Sequence, residues 1–138
     1  MPSILEKRIT YKKVTYSLQM KRETTGDRID LFFYLLTLDG TIIAFRTTKG
    51  IGKHYHPSYY ELDSRIMESY TNPDFRSQGF ATLLFQESIK LLKEEGSFKR
   101  ILNCVENSNL QSLRVQEKMG MTEVPSRVSF VRCFEYNL

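Results

Sequence analysis

The sequence predicts a mixed α/β fold: a mostly antiparallel sheet interrupted by one parallel β-α-β crossover. Three observations carry this. The first half holds runs rich in β-branched and aromatic residues, divided by turn residues. Residues 79–95 have the apolar period of an amphipathic helix, and a short apolar run at 101–105 follows. The resulting order is β-β-β-β-α-β-α-β-β, in which the fourth strand, first helix and fifth strand form the crossover.

Taken in order, residues 12–20 (KKVTYSLQM), 29–38 (IDLFFYLLTL) and 41–47 (TIIAFRT) read as strands, and Asp39-Gly40 between the last two is a two-residue hairpin signal. Residues 48–60 (TKGIGKHYHPSYY) hold two Gly, one Pro and no period, a long loop of the kind that is often functional. Residues 62–71 read as the fourth strand, stopped at Asn72-Pro73-Asp74 because proline removes a ladder donor. In the first helix Ala81, Leu84, Phe85, Ile89 and Leu92 share the apolar side, and Gly96 closes it. Asn107 or Ser108 caps a second helix that runs through Met119 and stops at Gly120. Residues 121–123 and 128–136 make the last two strands.

Composition sets the boundaries of function. The 138 residues fit one domain spanning 1–138, near the common size of about 100–150 residues. Charged residues at 26% and hydrophobic residues at 41% match a folded, water-facing protein rather than a disordered or fibrous one. The longest apolar run, Leu31 to Leu36, is far too short to cross a bilayer, and the early charges Glu6, Lys7 and Arg8 leave no signal-peptide core. No membrane partner and a cytoplasmic location are therefore expected. Cys104 and Cys133 lie in apolar runs without CxxC spacing and read as buried thiols. His54 and His56 lack a third ligand nearby, so no metal is expected. Residues 1–53 carry ten Lys and Arg against five Asp and Glu, while the remainder carries ten against eleven. A basic first third suits a phosphate-bearing ligand, nucleic acid or an acidic partner, or equally a strand edge protected by charge. No nucleic-acid motif accompanies it.

Arg76-Ser77-Gln78-Gly79-Phe80-Ala81 joins the fourth strand to the first helix. A small-residue turn before a helix lets phosphate approach the unpaired first N–H groups, which the helix dipole makes favourable to negative charge. The spacing is neither GxGxxG nor GxxxxGK[ST]. With Asn72-Pro73-Asp74-Phe75 before it, and Val105-Glu106-Asn107-Ser108-Asn109 and Glu117-Lys118-Met119-Gly120-Met121 after it, the sequence resembles the GCN5-related N-acetyltransferase (GNAT) superfamily over residues 62–124. The second block is most similar to the branch that acetylates ribosomal-protein N-termini.

The resemblance implies acetyl-coenzyme A as cosubstrate. The backbone N–H groups of Ser77, Gln78, Gly79, Phe80, Ala81 and Thr82 would hold the pyrophosphate, with Arg76 beside them. Tyr70 and Thr71 would pair with the pantetheine arm, which fills a V where the fourth and fifth strands splay. Asn109 matches a position that contacts the arm, and a free N–H near Tyr70 matches the oxyanion donor. Glu68 stands where many members carry a general base, and Ser112 where the ribosomal branch has a suggested acid or thiol contact. The expected reaction is direct attack by a primary amine of a small molecule, peptide or protein. Cys104, in an apolar setting, argues against a covalent thiol route.

Two departures qualify the resemblance. Gln116 occupies the place of the Tyr that protonates the leaving thiolate, and glutamine cannot supply a proton. Only Lys21 to Arg28 separate the first two predicted strands, where relatives have two helices that wall the acceptor site. The acceptor site is then open to a bulky substrate, or loop 48–60 or a second subunit, as in a homodimer, closes it. Both departures also suit an alternative: a coenzyme A binding or protein-interaction module that has lost catalysis.

Overall fold

The structure, a computed structural model, describes residues 3–26, 28–51, 60–63, 69–96, 98–126 and 128–138. Strands β1 (Ser3–Tyr11), β2 (Val14–Thr25), β3 (Arg28–Leu36), β4 (Ile42–Ile51), β5 (Tyr60–Asp63) and β6 (Ser69–Thr71) precede helix α1 (Phe80–Glu95). Then come β7 (Phe98–Glu106), α2 (Leu110–Lys118), β8 (Thr122–Val124) and β9 (Val131–Asn137). Among the described residues the sheet runs β1-β2-β3-β4-β5-β7-β9-β8, with β6 attached to β4 alone. The β5–β7 pair is parallel and the other described pairs are antiparallel, as the sequence predicts.

The sequence reading misses β1 and starts β2 two residues early, for one physical reason. Lys12 and Lys13 form the β1–β2 turn with φ of 48° and 68°. Two left-handed residues in succession are normally Asn, Asp or Gly, so two lysines give no hairpin signal. At Asp39-Gly40 the hairpin is present but only Gly40 has positive φ, at 94°. The Asp39 carboxylate accepts the Thr37 hydroxyl and the Thr41 amide and hydroxyl, which holds its pKa below the usual carboxylate range. β4 continues through Thr48–Ile51, so the predicted loop 48–60 is shorter at both ends; residues 52–59, including His54, Tyr55, His56 and Tyr59, lie outside the described residues. The predicted fourth strand is two strands, β5 and β6. Asn109, rather than Asn107 or Ser108, caps α2, its side chain accepting the Ser112 amide at 3.2 Å.

The core lies on one sheet face. Leu18 and Met20 of β2 stand opposite Leu35 and Phe33 of β3, and α1 covers them with Leu84, Phe85, Ile89 and Leu92. Each such side chain contributes about 1.5–3 kcal/mol on burial. Two of the ten basic residues of the first third act here: Lys7 approaches Glu87 and Glu94 at 3.9 Å, and Arg22 meets Glu95 at 2.6 Å, tying β1 and β2 to the acidic side of α1. The β1–β2 and β2–β3 connections are tight turns, so no helix stands between these strands. On the opposite face Tyr34, Phe45 and Tyr70 form an aromatic row across β3, β4 and β6, with ring centres 6.1 and 5.8 Å apart.

Cys104 and Cys133 are not thiols. They sit directly opposite each other on β7 and β9 and form a disulfide across a separation of 29 residues. Their spacing in the sequence does not suggest this, because only the β7–β9 register brings them together. Among the described residues no helix is long and apolar enough to cross a membrane. Reducing the bridge, or replacing Cys104 with Ser, is expected to lower stability by about 2–4 kcal/mol; denaturant titration with and without reductant measures this.

Candidate functional site

The site begins where β4 changes partner. Lys49, Gly50 and Ile51 pair with β5, whereas Ala44, Phe45 and Arg46 pair with Thr71, Tyr70 and Ser69 of β6. Of β5 and β6, β7 pairs with β5 alone. Among the described residues the edge of β6 turned away from β4 therefore has no strand beside it, and a gap opens between β6 and β7. Tyr70 and Thr71, the residues expected to pair with an extended ligand, lie on that edge. Tyr70 is 42% exposed and, with Phe45, Ile42 and Asn72, lines a cavity of about 530 Å³ on the face opposite the core.

Beyond β6 the chain turns sharply. The Asn72 amide donates to the Ile43 carbonyl at 2.7 Å, and its side-chain oxygen accepts the Asp74 amide, capping a 3-10 turn at Pro73–Phe75. Arg76 folds back so that Nε donates to the Thr71 carbonyl at 3.2 Å. Ser77 has φ 62° and Gly79 φ 84°, so two left-handed residues bring the backbone round to the start of α1. Gly79 is the N-cap and supplies no side-chain cap, while Leu83 N–H is the first to bond back, to the Gly79 carbonyl. The amides of Phe80, Ala81 and Thr82 are therefore without a partner inside the helix. Ser77, Gln78 and Gly79 are exposed, and Ala81 and Thr82 partly so.

The loop is braced by residues the sequence reading does not assign to it. Tyr11 donates its hydroxyl to the Gln78 carbonyl at 2.9 Å, and Lys12 Nζ reaches the same oxygen at 3.3 Å. The buried Phe80 ring is surrounded edge-on by Tyr11, Tyr16 and Phe75 at 5.4, 5.4 and 5.8 Å. The missed β1–β2 hairpin thus positions the helix start. The alternation of Leu5, Lys7, Ile9 and Tyr11 with Glu6, Arg8 and Thr10 is the signal that could have found it.

On α2, Asn109 is exposed with its side-chain oxygen engaged in capping, Ser112 is partly buried one turn on, and Gln116 is 1% exposed with Oε1 unpaired. Glu68 lies outside the described residues. Among the described residues no group of three or more His, Cys, Asp and Glu could hold a metal ion.

The profile of the acetyltransferase (GNAT) family matches residues 1–121. The chain belongs to the GNAT acetyltransferase family. GNAT structures share its fold. The ribosomal-protein-S18-alanine N-acetyltransferase of Escherichia coli superposes with a TM-score of 0.62 at 19% identity, over 83% of this chain and 71% of that one. The PaiA N-acetyltransferase of Thermoplasma acidophilum, solved in complex with coenzyme A, gives 0.61 at 20%, over 79% and 61%. An acetyltransferase of Acinetobacter baylyi gives 0.60 at 18%, over 79% and 64%. The chain thus spans less than two thirds of the length of some of these GNAT relatives. No curated protein matches in sequence.

A Cβ on Gly79 would stand 2.6 Å from the Tyr11 hydroxyl, so a side chain here requires Tyr11 to move aside, and the left-handed φ is costly for any other residue. Gly79→Ala is expected to lower stability by about 1–2 kcal/mol. Combined with Tyr11→Phe, which removes the clashing oxygen, the loss should be less than the two single losses together. Thermal denaturation of the three variants tests this.

Proposed function

We propose that the chain transfers an acetyl group from acetyl-coenzyme A to a primary amine by direct attack, working as one GNAT domain over residues 1–138. What carries the reading is the conjunction of an uncapped α1 N-terminus at Gly79 with the open edge of β6 in a member of this family. Ser77 to Thr82 would bind the pyrophosphate through backbone amides, where the helix dipole favours negative charge. Tyr70 and Thr71 would pair with the pantetheine arm as an added strand would, although the Thr71 carbonyl already accepts Arg76.

The chemistry needs a base, because an amine arrives mainly as ammonium, and a donor for the charge that develops on the thioester oxygen. Glu68 is assigned the first role, directly or through water. A backbone N–H near Tyr70 is assigned the second. Asn109 and Ser112 are proposed to line the arm, with Ser112 as acid or thiol contact. The face opposite the core, with the aromatic row and without a helical wall from the β1–β2 or β2–β3 connections, is the side from which the acceptor would come.

A second reading, a module that binds coenzyme A without turnover, is favoured by Gln116 standing where many relatives have Tyr. Acetyl-coenzyme A titration followed by a screen of amines and peptides for free thiol release separates the two, since the module binds and releases none. Gly79→Asp is expected to weaken coenzyme A binding more than tenfold, about 1.4 kcal/mol, in a folded protein; unchanged affinity by calorimetry would refute the loop assignment. Glu68→Gln should reduce turnover by about 10²–10⁴ with acetyl-coenzyme A affinity nearly unchanged, and a wild-type rate and pH profile in that variant would remove Glu68 from the mechanism.

A further inference from the structure

The cavity beside the gap has one consistent chemistry. Gly40, Thr41, Ile42, Phe45, Tyr70 and Asn72 line about 530 Å³, within the roughly 300–1,000 Å³ of small-ligand pockets. Among the described residues that line it there is no Asp, Glu, His, Lys or Arg. The side chains of Thr41 and Asn72 are already engaged: Asn72 Nδ2 donates to the Ile42 carbonyl at 3.0 Å, its Oδ1 accepts the Asp74 amide, and the Thr41 hydroxyl donates to Asp39 at 3.1 Å. The Asp39 carboxylate is itself held inside the hairpin turn by Thr37 and Thr41. What the cavity offers a ligand is therefore Ile42, 41% exposed, the Phe45 ring, and Tyr70, 42% exposed. Such a lining suits an uncharged apolar group, since an ammonium seated there gives up water without gaining a carboxylate.

Two placements connect this cavity to the reaction. Tyr70 lines it and also belongs to β6, whose edge faces the gap, so the cavity adjoins the place proposed for the thioester. The aromatic row ends there as well. Tyr34 stacks on Phe45 at 6.1 Å and 27°, and Phe45 meets Tyr70 at 5.8 Å and 35°. A further ring standing in the cavity extends the row by one member, at the centroid spacing of about 4.5–7 Å that aromatic pairs favour. The carboxylates on this face of β2 and β3 lie elsewhere. Glu23 and Asp30 stand opposite each other, four residues along from the Gln19–Tyr34 pair, or about 13 Å at the rise of a strand, and Glu23 holds Lys21 at 3.0 Å. A second ammonium seated in the cavity meets neither of them.

We propose that this cavity is the specificity pocket for the acceptor, and that the acceptor is a primary amine carrying an aromatic group close to its nitrogen, as in an arylalkylamine or a peptide with an aromatic first residue. The inference rests on the acetyl-transfer reading above and names the substrate class for it. The ring would stand against Ile42 and Phe45 beside Tyr70, with the amino group directed to the β6 edge. The ammonium first gives a proton to Glu68 or water. Its nitrogen then bonds the thioester carbonyl carbon, the C–S bond breaks with its electron pair going to sulfur, and a second nitrogen proton ends on the thiol. With no helix between β1 and β2 or between β2 and β3, the apolar contact that selects the acceptor comes from the β3–β4 hairpin and the aromatic row.

The test measures thiol release at saturating acetyl-coenzyme A with tryptamine, phenethylamine, a peptide beginning with phenylalanine, and putrescine. The best aromatic acceptor should exceed putrescine in kcat/KM by about tenfold or more, the discrimination an apolar pocket supplies, and the free amines set against the peptide show which source of the ring is preferred. The chain contains no Trp, so the indole of tryptamine reports its own binding by a blue shift of its fluorescence in the presence of coenzyme A. Ile42→Asp, at an exposed position, places a carboxylate in the cavity and should narrow the kcat/KM ratio by about tenfold, chiefly through the KM of the aromatic acceptor. Turnover in which putrescine or another ring-free amine equals or exceeds the best aromatic acceptor overturns the pocket assignment and leaves acetyl transfer standing, as does a ratio unaltered in folded Ile42→Asp. No thiol release from these acceptors or from the wider amine and peptide screen overturns the transfer reading, and this inference with it.

Discussion

Strand β4 pairs with two strands in succession, β5 and then β6, while β7 pairs only with the first. Everything distinctive about the site depends on that mismatch. Backbone N–H and C=O groups need partners, and a strand edge left open by its neighbour is a template for an extended ligand. The three residues of β6 present such an edge, and the chain leaving it passes in a few residues to the start of α1. Edge and helix terminus are therefore adjacent by connectivity. In the proposed reading one would pair with an extended amide-bearing arm, and the other would hold phosphate.

Holding the two together falls to aromatic packing more than to charge. Phe80 is caged by Tyr11, Tyr16 and Phe75, so the first residue of α1 is fixed by rings from β1, β2 and the preceding turn. The hydroxyl of Tyr11 then reaches the Gln78 carbonyl. The ion pairs of Lys7 and Arg22 with α1 are partly exposed and individually worth little, but they set the β1–β2 hairpin along the helix and so place Tyr11. A hairpin joined by two strained lysines is thereby part of the loop's architecture.

The two departures from the family pattern have related consequences. Without helices between β1 and β3, the face bearing Tyr34, Phe45 and Tyr70 presents a flat aromatic surface beside the gap. At position 116 stands a buried glutamine, 1% exposed with Oε1 unpaired, where many relatives have a tyrosine.

The local pattern determined α1, Gly96 as its closing residue, the crossover, the Asp39-Gly40 hairpin, the stop at Pro73 and the turn at Gly79 into the helix, because each rests on periodicity or turn chemistry within a few residues. Long-range pairing decided the rest. The register of β7 on β9 joined Cys104 to Cys133, the charged β1 became a strand only by pairing with β2, and the division of residues 60–71 into β5 and β6 followed from which neighbour each could reach. Arg46 reads in the sequence as an ordinary strand cation, and only the packing of α1 set its guanidinium on the Phe85 ring. Burial and cross-strand register are properties of two segments at once, and no window along one segment contains them.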